Sequence, residues 1–117
     1  MIDNLLPIGS VVKVNGSEKR LMVFGVKQKT GEDEERVYDY VGVTYPEGNL
    51  GKEYHILFDE ADIEEVVFRG FEDQERSFFL NELKKYYEPE NAFDIPAEPL
   101  EEELEAEKLG AGELNLE

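Results

Sequence analysis

At Gly70 the apolar residues of this chain change their period, and that change limits the folds open to it. Before Gly70 they alternate in short runs, the spacing of strands whose side chains point to opposite faces. After it Phe79, Leu80, Leu83, Tyr86 and Tyr87 fall on one stripe at helical spacing. The expectation is an α+β domain in which about five short antiparallel strands form a bent sheet or small open barrel, with one C-terminal helix packed on it. A one-sided sheet with the helix laid across it is the other arrangement consistent with the pattern.

The strand segments can be read individually. "GSVVKV" (9–14) ends in Asn15-Gly16, a dipeptide that accepts positive φ at both central positions of a tight hairpin turn. "KRLMVFGVK" returns with Leu21 and Val23 on one side and Met22, Phe24 and Val26 on the other, so it reads as a central strand covered on both faces. A polar loop, "KTGEDEE", follows. "RVYDYVGVTY" then sets Tyr38, Tyr40, Gly42 and Thr44 against Val37, Asp39, Val41, Val43 and Tyr45. Pro46 to Gly51, with Gly48 inside it, is a turn, and Gly42 marks a bulge or a point of close approach. "YHILF" and "IEEVVFRG" supply the last two strands, joined by "DEAD", and Gly70 turns the chain toward the helix. Asp73 suits the helix N-cap, Glu75 its first turn, Lys84 and Lys85 its last, and Pro89 its end.

Charge separates a body from a tail. The full chain carries 29 acidic and 12 basic residues, a net of −17. Residues 1–88 hold 19 acidic and 11 basic side chains, whereas residues 89–117 hold 10 acidic side chains and Lys108. The expected organisation is one α+β domain over 1–88 and a mostly disordered acidic tail over 89–117, where Pro89, Pro96 and Pro99 interrupt a segment poor in large apolar groups. Leu100, Leu104 and Leu109 would allow a short helix to form there on binding.

Several function classes are disfavoured. Strong acidity opposes binding to nucleic acid, whose phosphates are neutralised by clustered Lys and Arg. Without an apolar run of membrane-spanning length or a basic, apolar leader, the reading is cytoplasmic with no direct membrane insertion. There is no cysteine, and hence no disulfide or thiolate chemistry. His55 stands alone, and Ser10, Ser17 and Ser77 lack the glycines of a nucleophile elbow. No phosphate loop or dinucleotide fingerprint occurs, and "DEADIEE" lacks the spacing and turn glycine of a calcium loop. No catalytic residue, metal site or cofactor is expected, and the chain reads as a non-enzyme.

The aromatic residues remain. Tyr38 and Tyr40 share a face and Tyr45 precedes the turn with Pro46 and Glu47, so these five are the candidate partner-binding residues. Aromatic pairs on a strand also pack cores, and the two readings compete. Asn15, Gly16, Gly42, Gly48 and Gly70 are expected to serve turns and close approaches.

"LLPIGSVVKVNGSEKRLMVFGVKQ", then "YDYVGVTYPEG" and "DIEEVVFRGF", resemble in order a small domain-of-unknown-function family of Gram-positive bacteria. That family is encoded among type VII secretion genes and beside LXG-type toxins. The resemblance covers roughly Leu5 to Tyr87 and brings no catalytic residue with it. It implies a cytoplasmic accessory protein, a chaperone or targeting partner of a secreted toxin encoded nearby. An immunity protein that neutralises the toxin by binding it is the first alternative, and a carboxylate- or metal-dependent enzyme the second.

Overall fold

The structure is a computed structural model and describes residues 1–30 and 35–93. The expected tail over 89–117 lies outside the described residues beyond Phe93, as does most of the "GEDEE" loop. The chain divides into two compact units, Asn4–Glu72 and a second made of Met1–Asp3 with the chain from Asp73. The first holds the sheet and the second the helix.

Five strands, β1 (Val11–Val14), β2 (Leu21–Lys29), β3 (Val37–Thr44), β4 (Ile56–Phe58) and β5 (Ile63–Phe68), form one antiparallel sheet. Their order is β4-β3-β2-β1-β5, so the sheet is open, with β4 and β5 at its edges. β2 is central as its apolar content implies, but it is not covered on both sides: Leu21 and Val23 are buried while Phe24 is 37% exposed.

Register assigns the paired strand residues to faces. Val12 opposes Leu21, Val23 opposes Gly42, and Tyr40 opposes Phe58, which places them all on one side of the sheet. With Leu5 and Leu6 these side chains form the core, where a fully buried Leu or Val contributes about 1.5–3 kcal/mol. Val11 opposes both Met22 and Phe68, and Met22 opposes Val43, which defines the other side. This second face is closed over Val41 and Val43 and open at Phe68, which is 61% exposed.

The glycines act differently from one another. The turn after β1 is closed by Ser17 N–H donating to the Val14 carbonyl, with Gly16 at φ 80° and Asn15 at an ordinary negative φ. Positive φ at both central residues is therefore not what the chain adopts, because six residues separate β1 from β2 and relieve the constraint of a two-residue loop. Gly42 is a point of close approach: an added Cβ would lie 3.1 Å from the Met22 carbonyl oxygen and 3.1 Å from the Phe58 ring. The bulge lies opposite, in β2 between Val23 and Gly25. Gly70 also serves approach, since a Cβ there would lie 2.4 Å from the Ile8 carbonyl oxygen. Its N–H donates to Ser10 Oγ at 2.9 Å, tying the end of β5 to the segment before β1.

In the second unit α1 (Gln74–Tyr87) is capped by Asp73, whose carboxylate accepts from Arg76 N–H at 3.0 Å. The predicted stripe does not mark the buried line of the helix, for Phe79 is 43% and Tyr86 76% exposed. The buried helix residues are Asn81 and Lys84. Lys84 Nζ pairs with Asp3 at 2.7 Å, and Asn81 exchanges two hydrogen bonds with the backbone of Phe93 at 2.9 and 3.0 Å. Ile2 N–H donates to the Glu88 carboxylate at 2.7 Å, a bond that, with Asn91, holds the Glu88 pKa below the usual carboxylate value. Polar side chains here hold the two chain segments that flank the helix, and such pairing leaves no apolar signature in the sequence. Among the described residues no helix is long and apolar enough to cross a membrane.

Candidate functional site

The block "YDYVGVTYPEG" is divided by the two-residue period of β3. Tyr40 points into the core and is fully buried, with its ring stacked 5.3 Å from Phe58. Its hydroxyl accepts from Leu6 N–H at 2.9 Å and donates to the Glu60 carboxylate. Burial raises the phenol pKa, and the bond to Glu60 raises it further. Tyr40 thus belongs to the packed interior.

The groups around it complete a polar seam. Asp39 pairs with Lys27 at 2.9 Å and accepts from Glu60 N–H at 2.9 Å. Burial alone would raise the Asp39 pKa, but these two interactions outweigh it and the net shift is downward. Asp59 holds Arg36 at 2.5 Å and accepts from Asp39 N–H at 3.0 Å, while Asp59 and Asp62 form a reciprocal capping box around a short 3-10 turn. Asp59 and Asp62 therefore serve loop closure, while the Glu60 carboxylate is taken by the Tyr40 hydroxyl. Among the described residues no group of three or more His, Asp or Glu side chains is arranged to hold a metal ion. Tyr38 is half-buried, with the Arg36 guanidinium 4.4 Å from its ring centroid.

Tyr45, five residues from Tyr40, emerges on the opposite face. It is 45% exposed and precedes a cis peptide bond to Pro46. Gly48, at φ 80°, closes the turn by donating from its N–H to the Thr44 carbonyl at 2.8 Å. Pro46 and Glu47 are exposed on this turn, and Glu47 pairs with Lys19 at 2.8 Å, which lowers its pKa. The structure thus brings Tyr45, Pro46 and Glu47 together at one rim and places Tyr40 elsewhere.

Beside Tyr45 lies a pocket of about 430 Å³. Its walls are Val11, Met22, Val67, Phe68 and the Tyr45 ring, with Arg20 the charged residue among them. Val67 is 42% and Phe68 61% exposed. The volume falls near the lower end of the range for small-molecule sites, and the walls lack the convergent polar groups that orient a substrate. A space of this volume and lining has room for one or two bulky apolar side chains. Sequence reasoning picked out Tyr45 but not Arg20, Met22, Val67 or Phe68. A signal was present in "EVVF", where consecutive apolar residues put apolar surface on both faces of a strand.

The chain belongs to a family of unknown function. Residues 5–79 match the model described as Domain of unknown function (DUF4176). The match takes in all five strands, the residues that line the pocket and the start of α1. No curated protein and no solved structure matches the chain.

Proposed function

We propose that this DUF4176 protein is a non-enzymatic binding protein, a cytoplasmic chaperone or targeting partner of a toxin exported by type VII secretion. The observation that carries the reading is the open apolar surface of β5 and Tyr45 on a chain of net charge −17. Contiguous exposed apolar side chains mark interaction surfaces, and large single-sign charge steers encounter with an oppositely charged partner while opposing self-association. The resemblance to proteins encoded beside LXG toxins supplies the class of partner. The polar seam around Tyr40 has its carboxylates committed to backbone N–H groups, cations and the Tyr40 hydroxyl, which supports binding over hydrolysis.

The test is co-expression of the tagged full chain with the product of the adjacent toxin gene. Co-elution in fixed ratio, with increased toxin export, is the expected result. Absence of any neighbouring gene product from the eluate overturns the reading, and rescue of growth without an effect on export assigns the protein to immunity instead.

A further inference from the structure

We infer that the pocket beside Tyr45 recognises a bulky apolar side chain next to a carboxylate on an extended protein segment, with Arg20 binding the carboxylate. This rests on the binding reading above and names the chemistry of what is bound. Arg20 is exposed at the entry to β2 and lines the pocket, and its guanidinium has no ion-pair partner among the described residues. Acidic residues exceed basic ones by 17 in this chain, and Lys13, Lys19, Lys27, Arg36, Arg69, Lys84 and Lys85 all pair with carboxylates. An unpaired guanidinium is therefore the exception. Its planar fork matches a carboxylate with two parallel hydrogen bonds, and it lines the same pocket as Met22 and Phe68. Next to it Lys19 is already neutralised by Glu47, so Arg20 is the cation left for an incoming acid. The pocket is apolar with Arg20 as the charged residue in its lining, in a chain whose net charge is −17.

A second copy of the chain is a poorer occupant. β5 is an edge strand, but its pairing with β1 is interrupted by two register shifts within six residues, and it carries Glu64 and Glu65. Bulges and edge charges are the devices that keep an edge from pairing with its like. Recognition through side chains in the pocket does not need a regular edge.

The experiment titrates the isotope-labelled full chain with two synthetic peptides, one containing Leu-Phe-Glu and the other Leu-Phe-Lys in the same Gly-Ser frame, and follows the backbone amide shifts. Shifts at Met22, Tyr45 and Phe68, with the acidic peptide bound at least about tenfold tighter, are expected from one charge-assisted pair. Arg20→Glu should reverse that preference without changing the thermal melt, and Arg20→Lys should retain its sign. Equal affinity for the two peptides, or shifts away from the pocket, overturns the inference. So does concentration-dependent dimerisation abolished by Phe68→Asp, which would make a second copy the occupant. A wild-type chain that co-elutes with the toxin while Arg20→Glu binds it equally well sinks the pocket chemistry alone. Discrimination between the peptides without toxin binding sinks only the proposed function.

Discussion

Tyr40 and Tyr45 are five residues apart on one segment and are used in opposite ways. Tyr40 lies on the even face of β3, fully buried, its hydroxyl both donating and accepting. Tyr45 lies on the odd face, half open, beside a pocket that its ring helps to wall. A buried polar aromatic holds a fold together because leaving its partners unsatisfied is costly. An exposed aromatic contributes little to folding and offers area for a partner. The single-residue parity of a strand separates a packed side chain from an exposed one here.

The largest effect is expected at the buried member. Tyr40→Ala removes the ring from against Phe58 and leaves the Leu6 N–H without its acceptor, at a cost of about 3–5 kcal/mol by analogy with other buried aromatic truncations. Urea denaturation followed by circular dichroism measures it, and a loss below about 1 kcal/mol would place Tyr40 outside the core.

Next comes Gly70→Ala. The new methyl would meet the Ile8 carbonyl oxygen, which is backbone and cannot rotate away, so a loss of about 1–3 kcal/mol is expected in the same denaturation measurement. Because Gly70 fixes the end of β5 near Phe68, this variant should also weaken binding at the pocket. It joins the two regions otherwise contrasted, and unchanged binding in a destabilised chain would show that the pocket wall is set independently of that anchor.

Removing only the Tyr40 hydroxyl tests the polar half of its role. Tyr40→Phe should cost about 1–3 kcal/mol, the penalty for leaving a buried N–H unpaired. The folded chain also holds the phenol proton more tightly than the unfolded chain does, since the folded pKa is raised. That stability is fully present below the ordinary tyrosine value of about 10 and is lost as pH rises through the folded value. Thermal melts of the wild type should therefore decline more steeply above about pH 10 than those of Tyr40→Phe, and parallel curves would mean the proton is not held. Asp39 gives the opposite limb: its folded pKa is lowered, so its contribution is present above the ordinary aspartate value and is lost as pH falls through the folded one.

Much of this contrast was legible in the sequence, and its limits have physical causes. Alternation in "RVYDYVGVTY" put Tyr40 and Tyr45 on opposite faces, and the change of period placed α1, because both depend on neighbours within a few residues. Which face became the core did not follow from alternation. It depends on Leu5, Leu6 and the Leu6 N–H meeting β3 from a distant part of the chain, and on β5 pairing with β1, its neighbour in the sheet but far from it in sequence. Gly70 was visible as a glycine, but its reason is Ser10 and the Ile8 carbonyl, sixty residues away. The pocket was half legible for the same reason: Tyr45 is marked by its turn, whereas Arg20, Met22 and Phe68 join it only through register. On α1, the apolar stripe pointed to Phe79 and Tyr86, while the buried positions went to Asn81 and Lys84, which meet Phe93 and Asp3.

The smallest expected change in stability is at the exposed member, and it sharpens the comparison most. Tyr45→Ala should leave the unfolding free energy within about 0.5 kcal/mol of wild type, as for surface substitutions that break no buried contact. The side chain is 45% exposed, and the turn behind it is closed by backbone, through Gly48 N–H and the Thr44 carbonyl. Tyr45→Ala should nonetheless weaken partner binding by about tenfold or more, because aromatic side chains in pocketed surfaces carry a large share of interface energy. The paired measurement is a urea titration and a pull-down of the same variant against the toxin. Stability lost in step with binding would mean that Tyr45, like Tyr40, is a structural residue, and that the parity of β3 separates nothing.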